Sequence, residues 1–83
     1  MKNPKPTPED IREENKRIRM LRLMVDLTMS LIAQGTMTRE EALEHFIKVK
    51  DFALRLFPGK EDAFDIIYAP RFKRIISDIY GLH

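Results

Sequence analysis

From Pro8 to Gln34 the chain offers one unbroken helical pattern, and any fold must be built around it. Apolar residues recur at three- and four-residue steps, with no glycine and no proline after the first position. The start is signalled by Thr7-Pro8-Glu9-Asp10. Thr7 suits the cap, Pro8 the first helical position where no N–H is needed, and the two acids the positive end of the helix dipole. Gly35 is a natural left-handed stop. At 1.5 Å per residue such a helix is about 40 Å long, which is large for a chain of 83 residues.

A second helix is predicted over 39–57. Thr38-Arg39-Glu40-Glu41 is a capping box, in which the Thr38 hydroxyl and the Glu41 carboxylate satisfy opposite backbone amides. The short link after Gly35 makes helices one and two an antiparallel hairpin. Phe57-Pro58-Gly59-Lys60 has Pro and Gly at the central positions of a tight turn. A third segment is predicted over 60–80, ended by Gly81. Its apolar residues Phe64, Ile67, Tyr68, Phe72, Ile75, Ile76 and Ile79 keep helical spacing through Pro70. A proline there removes a hydrogen bond and disfavours helix at Ala69, so a kink or a break belongs at residue 70. The expected fold is an all-α bundle of three to four helices in one domain, 7–83, preceded by an extended arm over 1–6 in which lysine and asparagine alternate with proline. No strand-period alternation and no internal repeat is present.

Several functional classes drop out. Without cysteine there is no disulfide, thiolate catalysis or Cys-based zinc site. The first residues carry no apolar run behind their lysines, unlike a signal peptide. The most apolar stretch, Met20 to Ala33, holds Arg22 and Asp26 and is too short to span a bilayer. A cytoplasmic protein without membrane or cofactor is therefore expected. His-Glu-x-x-His, a phosphate loop, a dinucleotide glycine pattern and a nucleophile elbow are all missing. Pro58-Gly59-Lys60 matches a phosphate loop in composition only. His45 lies beside Glu44 and one turn after Glu41, but Ala42 stands where a Glu-x-x-His metal motif needs glutamate. No catalytic, metal or cofactor residue is assigned, and a non-enzymatic role is expected.

The departure from a plain bundle lies on helix one. Ile11, Ile18, Leu21, Val25, Met29 and Ile32 form a stripe within about 80° of arc along its whole length. The second half adds another on the far side: Met20, Leu23, Met24, Leu27 and Leu31. Either helix two covers one stripe and the third segment the other, or a second chain completes the surface. The helix's length favours the second, because its first turns outreach its shorter partners. A symmetric homodimer is the commonest closure, and methionine-rich surfaces adapt well to partners. A protein-interaction module that self-associates is thus the leading expectation.

Two other features bear on function. Residues 1–22 carry a net charge of +3 within a total of +2, and Arg12, Lys16, Arg17, Arg19 and Arg22 cluster there. Arg12, Lys16 and Arg19 share a face suited to phosphates, so a nucleic-acid accessory is the alternative reading. Glu9, Asp10, Glu13 and Glu14 are interspersed, however, and Glu13–Arg17 has the spacing of an intrahelical pair. A helix–turn–helix is disfavoured by Glu40, Glu41 and Glu44 at the start of the would-be recognition helix. Lys50 projects into the middle of an apolar arc of helix two. It either snorkels to the edge or meets Asp26 in a part-buried structural pair.

Overall fold

The computed structural model describes residues 5–81, and the expected arm over 1–6 falls mostly outside them. The chain is all-α: α1 (Pro8–Ala33), α2 (Arg39–Leu56), α3 (Glu61–Ile67) and α4 (Ala69–Tyr80). Two reciprocal capping boxes set the starts of the first two helices. Thr7 Oγ1 accepts from the Asp10 amide at 3.0 Å, and Asp10 accepts back from the Thr7 amide at 3.1 Å. Thr38 and Glu41 do the same at 3.1 and 2.8 Å. Each box satisfies two amides that the helix itself leaves without partners. The end of α1 is closed by the Gly35 amide donating to the Ile32 carbonyl at 3.0 Å, with Gly35 at φ +70°. Gly59, at φ +79°, follows Pro58 in the turn that the Lys60 amide closes onto the Phe57 carbonyl.

Pro70 splits the third segment. Tyr68 donates to the Phe64 carbonyl to finish α3, while its own carbonyl receives the amides of Arg71 and Phe72 to begin α4. The proline sits in the first turn of α4, where its missing N–H costs nothing. Both halves still reach one core, as the preserved register predicts. Phe64, Phe72 and Ile76 are buried with Leu21, Val25 and Ile32 of α1 and Ala42, Val49 and Ala53 of α2. The Phe46 ring lies 5.1 Å from Phe72 and 6.1 Å from Phe64, centroid to centroid, joining α2 to both short helices. At the other end the Tyr80 hydroxyl donates to the Met37 carbonyl at 2.7 Å, tying the last turn of α4 to the α1–α2 connection. Ile67, placed in the core by its spacing, is 54% exposed. α3 packs on α2 and α4 but not on α1, so Ile67 borders an open apolar pocket facing Leu21 instead of entering the core.

α1 packs against α2 and α4, and both cover the same side of it. The molecule is elongated, 53 × 20 × 15 Å, with a radius of gyration of 15.5 Å; a compact chain of this length would have about 12 Å. The reason is the length of α1. Arg17 lies level with Phe57, where α2 has already ended, so the turns before it project, and Ile11 is 51% exposed.

Candidate interaction surface

On α1 the buried residues are Leu21, Val25, Thr28 and Ile32, all from the first stripe or its border. The second stripe is uncovered. Met20, Leu23, Met24, Leu27 and Leu31 are 46, 59, 36, 53 and 44% exposed. Met24 borders α2 at the edge of the stripe, and the rest of the row lies off the flank on which α2 and α4 pack. Together the residues of the stripe present roughly 450 Å² of apolar side chain, within the range of the largest patch on a typical monomer.

Beside the stripe runs a cleft of about 400 Å³ between α1 and α2, bordered by Met24, Thr28, His45, Lys48, Phe52 and Arg55, with Asp51 at its edge. The stripe is therefore not an isolated strip of hydrophobes. It has a polar rim on its α2 side, the anatomy of a protein contact surface. A separate apolar pocket of about 190 Å³ lies where α2 ends against α3, lined by Leu21, Leu54, Phe57, Phe64 and Ile67 with Lys60 as its charged border.

Of the two readings open for Lys50, the pair with Asp26 is not formed. The Lys50 Nζ lies 3.0 Å from Glu61 Oε2 and 3.0 Å from Asp65 Oδ1. Asp26 is exposed on α1 and is not among its partners. The cause is geometric. Asp26 sits on the flank of α1 turned away from α2, about 100° from Val25. Glu61 and Asp65, one helical turn apart on α3, line the side of α2 that carries Lys50. By sequence Glu61 is only one more acid in a helix's first turn; the four-residue spacing of two carboxylates opposite a lone lysine was the available signal. Hydrogen bonds to Asp65 and then Glu61 favour the charged ammonium and push the Lys50 pKa above its ordinary 10.5.

Arg17 is set apart from the rest of the basic cluster. Arg17 turns inward: its guanidinium lies 5.9 Å from the centroid of the Phe57 ring and 3.9 Å from Glu13, which supports both a cation–π contact and the expected intrahelical pair. Its Nε is shielded from solvent without a hydrogen-bond partner among the described residues. Arg12, Lys16, Arg19 and Arg22 stay exposed. The first three share a shallow opening with Glu9, Asp10 and Glu13. Among the described residues no three His, Cys, Asp or Glu side chains gather as a metal site, and no helix is long and apolar enough to cross a membrane. His45 borders the α1–α2 cleft; His83 lies outside the described residues.

Fold and surface together define an all-α chain whose longest helix carries an uncovered apolar face. Comparison with protein-family models, curated proteins and solved structures finds no match for this chain.

Proposed function

We propose that this protein acts without catalysis, through protein contacts, and that its first partner is a second copy of itself, docked along Met20, Leu23, Met24, Leu27 and Leu31. The observation that carries this reading is the exposure of all five residues on one face of α1 while α2 and α4 bury Leu21, Val25, Thr28 and Ile32 on another. Two such faces pressed together remove about 900 Å² from water, and the rim from α2 brings the total toward the ~1,200 Å² of a stable interface. The exposed thioethers of Met20 and Met24 suit a surface that must adapt to its partner.

Sedimentation equilibrium over a range of concentrations tests it. A dimer that dissociates on dilution is expected. Leu27→Glu should weaken it by at least about a hundredfold, because half a leucine side chain is lost from each side of a symmetric seam and a carboxylate takes its place. Leu27 is already 53% exposed, so the variant's helicity should match the parent's. A parent chain that stays monomeric at high concentration refutes the proposal.

A further inference from the structure

We infer that the two copies pair with their α1 helices antiparallel, about a two-fold axis level with the midpoint between Val25 and Asp26. This rests on the proposed self-association and adds its orientation. The first of three features is compatible with this arrangement, and the other two favour it over a parallel pair.

The first is the spacing of the stripe. An antiparallel axis at that level sets Met20 opposite Leu31 of the second copy and Met24 opposite its Leu27, with Leu23 beside that same leucine. Every residue of the uncovered face then meets an apolar residue, as an isologous contact requires.

The second is where the stripe stops. Continued toward the N-terminus, the same face of α1 becomes Lys16, Glu13 and Glu9. Under the antiparallel axis Lys16 is level with Gly35 of the second copy, just past the end of its α1 at Ala33. The apolar row thus ends where the opposing helix ends. A parallel pair would instead run helix against helix to the first turn, setting Lys16, Glu13 and Glu9 each against its own like charge.

The third is the polarity of the α2 rim. Glu41, Glu44, Lys48 and Arg55 follow one another at helical spacing, and Lys48 and Arg55 border the cleft beside Met24. The row is acidic at its start and basic toward its end. Because α2 runs back along α1 after a short link, with Arg17 level with Phe57, the axis brings Arg55 level with the Glu40–Glu41 turn of the second copy. Lys48 falls near the axis, within a turn of the other copy's Glu44. A parallel pair, whose two-fold axis runs along the helices, would place the two α2 rows on opposite sides of the seam, where neither meets the other. Rim complementarity therefore favours the antiparallel register, the one in which the two α2 rows share a side of the seam.

The absence of native cysteine makes the orientation directly readable. Met20→Cys and Leu31→Cys chains, differing in tag mass, are oxidised separately and as an equimolar mixture. Both positions are solvent-exposed, so neither change disturbs the core. In an antiparallel pair of Met20→Cys chains the two thiols lie about 16 Å apart along the helix axis, beyond disulfide reach. In a mixed pair the thiol introduced at position 20 of one copy faces the thiol introduced at position 31 of the other. Disulfide-linked heterodimer in the mixture, with each variant alone at background, is the expected result. Efficient linking of Met20→Cys to itself would overturn the antiparallel arrangement while leaving self-association standing. A dimer by sedimentation that links in no combination would overturn both this register and the stripe as its seam. A monomer overturns the whole scheme.

Discussion

Phe72 is the residue on which the three-way packing of this fold depends most, and replacing it by alanine tests that packing. Its side chain is 0% exposed and its ring centroid is 5.1 Å from that of Phe46, which in turn touches Phe64. Truncation removes a fully buried ring and leaves a cavity bounded by three helices, a change that costs about 3–5 kcal/mol. A domain of this length has only ~4–12 kcal/mol in total, so Phe72→Ala should sit near the limit of folding. The melting temperature should fall by more than about 12 °C. Ile67→Ala is the matched control. Helical spacing alone assigns Ile67 to the same core, but the structure leaves it 54% exposed. Its truncation should cost no more than about 1 kcal/mol. Urea unfolding followed by far-ultraviolet circular dichroism, with both variants at the concentration of the parent, measures the two values, and an unchanged slope shows that the unfolding transition is comparable. If Phe72→Ala lies within about 1 kcal/mol of the parent, or Ile67→Ala matches it, the reasoning fails.

Tyr80→Phe should lower stability by about 1 kcal/mol, the net worth of the hydrogen bond to the Met37 carbonyl, since the ring itself is retained. Thermal melts at fixed concentration would show it, and no change would mean that the bond is replaced by water at no cost. Lys50 predicts an alkaline effect: its folded-state pKa lies above the unfolded 10.5, so its stabilising contribution is complete below pH 10.5 and is lost as pH rises through the higher, folded value. Removing both acceptors with Glu61→Gln and Asp65→Asn should move the ammonium titration, followed by NMR, downward; an unshifted titration would show that the two carboxylates do not hold it.

The parts of this structure that were legible in the sequence are those decided within a few residues. Thr7 and Thr38 mark helix starts because an N-cap hydroxyl and a carboxylate three residues on can satisfy each other's amides whatever the rest of the chain does. Gly35, Gly59 and Gly81 mark stops and a turn because positive φ is a local demand. The interruption that Pro70 announces belongs here too, although it falls at Tyr68, two residues earlier, and spacing alone left kink and break open; the Tyr68 carbonyl takes the opening amides of α4.

What tertiary structure alone decided is which surfaces meet. Periodicity showed two apolar stripes on α1 but could not tell whether the short helices would flank it on both sides or crowd onto one. They crowd onto one, because Phe46 draws α3 and α4 to the side where α2 already lies. The same limit left Lys50 between two readings, because its partners depend on where α3 comes to rest against α2. A helical wheel places a residue on a face of its own helix, and the facing element is set only when the elements pack. The apolar face of α1 was therefore written in the sequence, and its being left uncovered was a result of the fold.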